Sequence, residues 1–585
     1  MRPFGLVITA AAAAAAAACV AVPLIAQDAA TALRLVPRPR EMEYLKAVLL
    51  KNGVAVDVPT NADDKFAAAD LTDELKARGV RVVTVRPVPP RTLRISLLRR
   101  SSTAAKTLLT KSALSFSDTL KDEGYVIVAD STRIAVIGDS PAGVFYGAQT
   151  VKQLLDGVGA SATMHLVRIR DWPAMRYRGI HDDLSRGPLP TLEYQKKQIR
   201  TFAAYKLNVY SPYYEHTIEY ASNPLGAPPG GAMSREQVRE LIEYARRYHI
   251  DVIPEQEAFG HLHHLLKWEL YAPLAETPHG HVIAPGQPGS MALIKQLFAE
   301  IDSLFPSRFI HLGADETFEL GRGQTSDRVT TEGIGPVYVG FLREIADSLR
   351  YTGKRLLFWG DVAMNHPELV KTLPQDMIAV AWAYDAAPSF DRLITPFRLD
   401  VNMETWVAPG VNNWNRVYPN NWVALRNIQG FVRDGQRWGA TGMLNTSWDD
   451  DGEALFDQTW YGVLFGAAAS WQPGESSIVE FERSYGRVFH GDTTGRLDEA
   501  QRKLSAAHAR LRDAGVSDAS DYLFRLDPWS TDGQLMTQRL LPAARDVRVM
   551  AESALVLISQ VRRSGQPRET SALTAIELGA RRIDW

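Results

Sequence analysis

Eight short apolar runs recur between residues 177 and 445, separated by stretches with helical character. They are Tyr177–His181, Leu207–Tyr210, Ile250–Pro254, Phe309–Leu312, Arg355–Trp359, Met377–Trp382, Leu399–Met403 and Thr441–Asn445. Parallel strands covered by helices on both faces read as continuous apolar segments rather than alternating ones. Eight of them with helical connections predict a (β/α)8 TIM barrel over residues 171–471. Seven runs hand over to acidic or aromatic residues: His181-Asp182-Asp183, Glu255-Gln256-Glu257, Asp315-Glu316, Gly360-Asp361, Tyr384-Asp385, Glu404-Thr405-Trp406 and Trp448-Asp449-Asp450-Asp451. Any one of these acids has an ordinary reading as a helix cap. Their recurrence points to one cup, because all carboxyl ends of barrel strands open on the same face. A cup of carboxylates and indoles with little positive charge suits a neutral sugar better than a phosphate ester.

The flanks have their own patterns. Residues 33–166 predict a small α/β domain, with strands at Val54–Val58 and Thr92–Ser96. A hairpin is expected around Asp130-Ser131-Thr132, and a helix opening at Pro141. No catalytic constellation stands out there, and Asp171-Trp172-Pro173 marks its end. Residues 472–585 read as a helical region, with helices expected over Ile478–Phe489, Arg496–Ala514 and Ser571–Trp585. The last stretch has only Gly579 as a breaker and no stop signal beyond it, the pattern expected if the natural product is longer.

Lys and Arg number 65 against 67 Asp and Glu, a net charge of −2. That excludes a basic nucleic-acid surface and a polybasic membrane binder. The single cysteine, Cys19, excludes intrachain disulfides, clustered-cysteine zinc sites and iron–sulfur clusters. Residues 1–26 read as a secretory signal peptide: Arg2 supplies the positive start, and an Ala-rich apolar stretch follows. The mature chain is therefore expected to be exported, periplasmic or extracellular. Lipid anchoring through Cys19 is the alternative, although no bulky apolar residue stands where a lipobox places one. No other segment reads as a membrane span.

The chemistry concentrates in His311-Leu312-Gly313-Ala314-Asp315-Glu316, at the end of the fourth run. This His-x-Gly-x-Asp-Glu pattern resembles the signature of glycoside hydrolase family 20, the β-N-acetylhexosaminidases. Tyr177-Arg178-Gly179 with Asp183 and Arg186, Pro254-Glu255 with Gly260-His261, Trp359-Gly360-Asp361, Trp382 and Trp448 agree with other strands of that family. So does the small domain before the barrel, and the likeness extends over about residues 33–470.

The resemblance implies an exo-acting enzyme that hydrolyses terminal β-linked GlcNAc or GalNAc from a glycan, with no cofactor and no metal. The substrate's own acetamido oxygen would attack its anomeric carbon, an exception to the two-carboxyl retaining scheme. Glu316 would be general acid and then base. Asp315 would hold the acetamido N–H and balance developing positive charge. Arg178 would grip sugar hydroxyls at the pocket floor. Trp359, Trp382 and Trp448 would wall the sugar, with Asp450 near its outer hydroxyls. His261 would orient the acid. Tyr384, Trp406, Trp414 and Tyr418 are all candidates for the residue that polarises the acetamido oxygen.

The family's second-strand signature is replaced by Tyr210-Ser211-Pro212-Tyr213-Tyr214-Glu215-His216. Glu215 or His216 could stand behind His261 in its place. With Glu257-Ala258-Phe259-Gly260-His261-Leu262, this looks closer to a divergent branch that includes hexosaminidase D. Three rivals stand beside this reading. A metal-dependent barrel hydrolase could use His261, His263 and His264, which lack the i, i+4 ligand spacing of metal-binding helices. A sugar-binding protein on the same fold would be expected to have lost one of the adjacent carboxyls. A barrel glycosidase with its own nucleophile would ignore a thiazoline mimic of the bridged intermediate.

Overall fold

The computed structural model describes residues 33–585, apart from Arg86, residues 361–365, residues 517–519, Asp521 and Gln566. The expected signal peptide with Cys19, and Asp361, lie outside the described residues. The chain divides into two units, one ending at Pro173 and the other running Ala174–Trp585.

The first unit is built on a mixed sheet of β1 (Glu41–Leu49), β2 (Val54–Val56), β3 (Leu93–Arg99), β4 (Tyr125–Ala129), β5 (Arg133–Gly138), β6 (Leu155–Asp156) and β7 (Thr163–Asp171). Its order is β1-β7-β4-β5-β3-β2, with β6 on β7. The β4–β5 hairpin turns where Asp130 Oδ1 accepts the amides of Thr132 and Arg133 at 2.8 and 3.0 Å. The helix Pro141–Gln153 starts with Pro at its first turn, and Ser140 Oγ caps the Gly143 amide at 2.9 Å. Proline costs nothing there because the first helical N–H groups have no partner anyway.

The second unit is a closed barrel. Its strands are β8 (Tyr177–Asp183), β9 (Val209–Tyr214), β10 (Asp251–Val252), β11 (Glu255–Gln256), β12 (Phe309–His311), β13 (Arg355–Trp359), β14 (Ile378–Trp382), β15 (Glu404–Ala408) and β16 (Gly442–Ser447). All neighbours pair in parallel, and β16 pairs with β8 to close the ring. β10 and β11 occupy one strand position, separated by Pro254, which has no N–H to give to a ladder. The connecting helices are locally specified. Ser234 and Gln237 form a reciprocal capping box at the start of Arg235–Arg247.

One strand lies elsewhere than expected. The seventh is Glu404–Ala408, not Leu399–Met403. Residues Pro396–Asp400 form a wide helical turn, and Asn402 at φ 51° reverses the chain before the strand. Glu404 thus starts the strand at the barrel base, where it accepts from Thr441 Oγ1 and pairs with Arg355. Trp406 sits in mid-barrel, fully buried, stacked on Tyr177 with ring centroids 4.8 Å apart.

After the barrel come helices Ile478–Glu482, Tyr485–His490, Arg496–Asp513, Tyr522–Arg525, Thr531–Ser564 and Thr570–Asp584. The longest spans about 50 Å at 1.5 Å per residue and was not evident as one element in the sequence. Ala507, Ala551, Ala554 and Ala580 let it pack closely with its neighbours around Leu504 and Ile576. Gly579 lies inside the last helix rather than ending it. A Cβ there would stand 2.3 Å from the ring of Tyr418. Among the described residues, no helix is long and apolar enough to cross a membrane.

Candidate active site

The carboxyl ends of the strands surround a cavity of about 200 Å³ lined by Arg186, His261, Asp315, Glu316, Trp359, Trp382, Tyr384, Trp414, Trp448 and Asp450. Its polar corner is made by the loop after β12. That loop runs in the left-handed region at Gly313 (φ 64°), Ala314 (φ 72°) and Glu316 (φ 47°). Positive φ costs free energy for residues with a Cβ and tends to persist where surroundings over-determine it. Here they do. The Ala314 amide donates to Glu257 Oε2 at 3.1 Å, Tyr338 Oη donates to the Ala314 carbonyl at 2.7 Å, and the Trp359 amide donates to the Gly313 carbonyl at 3.0 Å. Gly260 lets the neighbouring loop approach, since a Cβ there would lie 2.4 Å from the Asp315 carbonyl oxygen.

His261, itself at φ 49°, projects between the two acids. Its Nε2 lies 3.6 Å from Asp315 Oδ2 and 3.5 Å from Glu316 Oε2, while Nδ1 faces Glu215 Oε1 at 4.0 Å. Burial works against a charged imidazole, but the Asp315 carboxylate outweighs it and raises His261 well above its ordinary value. In return, burial works to raise Asp315 and the His261 imidazolium overrides it, holding that carboxyl below the usual range. Glu257, entirely buried beside them, is pushed well above the carboxylate range, by burial first and by the Asp315 charge second. This corner, shared by the loops after β11 and β12, therefore favours the anion at Asp315, the cation at His261 and the protonated form at Glu257. Glu215 is raised by burial against the pull of Arg186, and takes the Tyr213 hydroxyl at 2.8 Å.

The floor is a second buried network. Trp359 Nε1 donates to Glu255 Oε1 at 2.6 Å, and His181 Nε2 lies 2.8 Å from Glu255 Oε2. The walls are aromatic. Tyr384 stacks on Trp382 with centroids 5.0 Å apart and lies tilted at 56° to Trp414 at 4.7 Å, and its hydroxyl accepts from Trp448 Nε1 at 2.7 Å. Arg186 reaches over Tyr213 and Trp448 at 5.2 and 4.9 Å. It is held by Asp183 (Nε to Oδ2, 2.8 Å) and approaches Asp450 at 3.4 Å.

Of the residues expected at the site, Glu316, Asp315, Trp359, Trp382, Trp448, Asp450, Tyr384 and His261 meet at this cavity, with Glu215 behind His261. Two do not. Trp406 fills the barrel core. Arg178 is fully buried away from the cavity, donating to the carbonyls of Lys206, Met175 and Arg176 and lying 5.0 Å over the Trp471 ring. Strand side chains alternate faces. Tyr177 points inward onto Trp406, so Arg178 points out towards the helices. The arginine that reaches the cup is Arg186, three residues beyond the strand. Tyr418 is also excluded from the cup, for its hydroxyl donates to Gln501 under the helical region. Glu257 and Arg186 had no role assigned from the sequence, though both stand in segments that carried the resemblance.

Among the described residues, two histidine–carboxylate groups have ligand atoms within 4.8 Å of one another: Glu215, His216 and His264, and His261, Asp315 and Glu316. In the first, the rings of His216 and His264 stack at 3.6 Å and 18°. Imidazole lone pairs lie in the ring planes, so nearly parallel rings cannot aim both at one ion.

A closed parallel barrel with two adjacent carboxyls at the mouth of its carboxyl-end cup places the chain among barrel proteins built like glycoside hydrolases. Residues 32–172 match the family model for glycosyl hydrolase family 20, domain 2, and residues 211–395 match that family's catalytic domain. The chain belongs to glycosyl hydrolase family 20. Curated relatives include a beta-hexosaminidase of Porphyromonas gingivalis, 29% identical over 42% of this chain and 36% of its own length. Another is a hexosaminidase D of Bos taurus, 27% identical over 36% of this chain and 63% of its own. The chain thus spans between about a third and just under two thirds of these relatives. In fold it is similar to an exo β-N-acetylglucosaminidase from Vibrio harveyi, with TM-score 0.58, 21% identity, and 76% and 75% of the two chains covered. It is also similar to a chitobiase from Flavobacterium johnsoniae, with TM-score 0.61, 15% identity, and 95% and 92% covered.

Proposed function

We propose that this chain is an exo-acting β-N-acetylhexosaminidase that removes terminal β-linked GlcNAc or GalNAc by substrate-assisted catalysis. One observation carries the reading. Asp315 and Glu316 share a single imidazole, His261, at the mouth of a cavity of about 200 Å³. A carboxylate kept charged next to an acid that opens on the same cavity is the division of labour this chemistry needs. Asp315 accepts the acetamido N–H and steadies the charge on the ring as the acetamido oxygen attacks the anomeric carbon. Glu316 gives its proton to the leaving oxygen, and the glycosidic bond breaks. A water then attacks the anomeric carbon of the oxazolinium, the bond from that carbon to the acetamido oxygen breaks to restore the acetamide, and Glu316 takes the water's proton, returning the acid to its starting state. Because the nucleophile is part of the substrate, its effective concentration is high. Tyr384 or Trp414 meets the acetamido oxygen, and Trp359, Trp382 and Trp448 enclose the ring. Arg186 with Asp450 addresses the outer hydroxyls. The signal-like residues 1–26 support export. The names of the relatives, hexosaminidases and β-N-acetylglucosaminidases, support the substrate class.

The test is an aryl-glycoside panel with the pure protein. GlcNAc and GalNAc glycosides should be hydrolysed, a glucose glycoside should not, and a thiazoline mimic of the bridged intermediate should inhibit. Glu316→Gln should lose turnover of unactivated substrates while still binding GlcNAc. Equal rates on glucose, or full activity of the variant, would refute the reading.

A further inference from the structure

A second cavity, of about 750 Å³, is lined in part by Asp183, whose partner Arg186 lines the sugar cup. It is walled by the loop after β8, the loop after β16 and the last helix, Thr570–Asp584. Its sides are largely apolar, with Leu189, Leu455, Phe456 and Leu578 among them. This volume is within the range of small-molecule sites, and an apolar cavity with a few convergent polar groups has the make-up of one. The charged groups here are of one sign, among neutral polar side chains such as Thr191, Asn413 and Ser447. Asp182, Asp183, Asp449 and Asp457 all line it, and no Lys or Arg is among its lining residues.

Two of these acids already have partners for their charge. Asp183 holds Arg186, and Asp457 accepts from Tyr194 Oη at 2.8 Å and Trp460 Nε1 at 2.9 Å, with Lys197 at 3.7 Å. The other two have no cation. Asp182 is only 4% exposed. Its two hydrogen bonds, from Gln198 Nε2 at 3.0 Å and Tyr210 Oη at 3.1 Å, both fall on Oδ2, so Oδ1 of this cavity-lining residue has no donor. Asp449 accepts the Ala454 amide on Oδ1 at 2.9 Å and has no donor on Oδ2. A carboxylate buried in an apolar wall without a counter-charge is costly. In keeping with that, burial raises Asp182 to about 7 and Asp449 to about 6.

We infer that this cavity is a binding site for a small organic cation, a protonated amine on an apolar body, whose ammonium pairs with Asp182 at the floor. The ammonium supplies the hydrogen-bond donor that Oδ1 lacks, and the apolar body covers the Leu189–Phe456–Leu578 wall. An anionic ligand would meet carboxylates only. A neutral one would forgo the pairing of charge with Asp182. Binding of the cation does not depend on the sugar cup being catalytic.

Isothermal titration of the full chain with 2-phenylethylamine and its neutral counterpart 2-phenylethanol, in excess GlcNAc, tests the inference. The amine should bind at least about tenfold more tightly than the alcohol, a difference of about 1.4 kcal/mol. Asp182→Asn should abolish that preference. Thr574→Trp, at an exposed lining position of the last helix, should weaken both probes about tenfold or more without lowering the melting temperature. If Asp182→Asn does not fold, the Thr574→Trp titration decides. No binding of the amine up to about 10 mM, equal binding of the alcohol, displacement by GlcNAc, or indifference to both substitutions would overturn it. Failure of GlcNAc itself to bind would count against the proposed hydrolase and leave the amine titration interpretable.

Discussion

The carboxyl of Glu257 lies against the Cα of Gly313, so close that a Cβ at Gly313 would stand 2.1 Å from Glu257 Oε1. That contact ties the middle of the β12 loop to the third strand and sets where Asp315 and Glu316 leave the barrel. Gly313→Ala should therefore fail twice, by the clash and by the left-handed φ of 64°. A loss of at least about 2 kcal/mol in urea unfolding is expected, from backbone strain and overpacking together. Turnover should fall with it. An alanine variant as stable and active as the parent would mean the loop is not held as described.

Glu257 is also a pH-dependent element. Its carboxyl is raised well above 4.5, so the native state holds a proton that the unfolded chain releases. Where the native state binds more protons, stability falls as pH rises. The contribution is complete below the unfolded value and is lost as pH climbs through the folded one. Glu257→Gln keeps the shape and stays neutral, so its stability should fall less steeply than the parent's across that window. Urea midpoints measured from pH 4 upward check this, and parallel curves would contradict it.

His261 is predicted to set the acid limb of activity. Its imidazolium holds Asp315 below the ordinary carboxylate range. His261→Gln removes the charge, so Asp315 should become protonated at higher pH and the acid limb of kcat/KM should shift upward. The rate at the optimum should drop about 10²-fold, the scale for losing one preorganised electrostatic partner. An unmoved acid limb would remove His261 from the control of Asp315. Asp315→Asn should cost at least as much, with the acid limb lost altogether.

Much of this was legible in the sequence, for reasons that particular residues make plain. The barrel showed because buried parallel strands are continuous apolar runs, and the acidic residues after them announced the face that bears the cup. The adjacent pair Asp315-Glu316 needed no tertiary information. The seventh strand was hidden because Glu404 opens it with a charge at the barrel base, while Leu399–Met403 before it imitates an apolar run. Trp406 then looked like a residue beyond the strand when it lies within it. Trp414 reaches the cup from a long loop after β15, where no periodicity signals direction. Arg178 has its sugar-gripping role only through the resemblance, and Arg186 has none, because the sequence does not show which residues of a strand face inward: that depends on register, and a one-residue change reverses every side chain.

That last pair yields the sharpest separation of structure from function. Arg178 satisfies three backbone carbonyls in a fully buried position and touches no part of the cup. Arg178→Ala would strip a donor from each of those carbonyls, of which Arg176 keeps Asn208 Nδ2, and open a void beside Trp471, so a loss of about 3 kcal/mol or more is expected. What remains folded should show an unchanged KM. Arg186 bridges Asp183 and Asp450 at the cavity wall. Arg186→Ala should raise KM for an aryl N-acetylglucosaminide by about tenfold or more, the scale of a lost charge-assisted contact. It should shift the unfolding midpoint much less than Arg178→Ala does. Melting curves and steady-state kinetics on the two variants give opposite signatures under this assignment. Should Arg178→Ala instead raise KM while leaving stability intact, the arginine of the sugar cup would be the one within the strand, and the side-chain parity of the first barrel strand would be wrong.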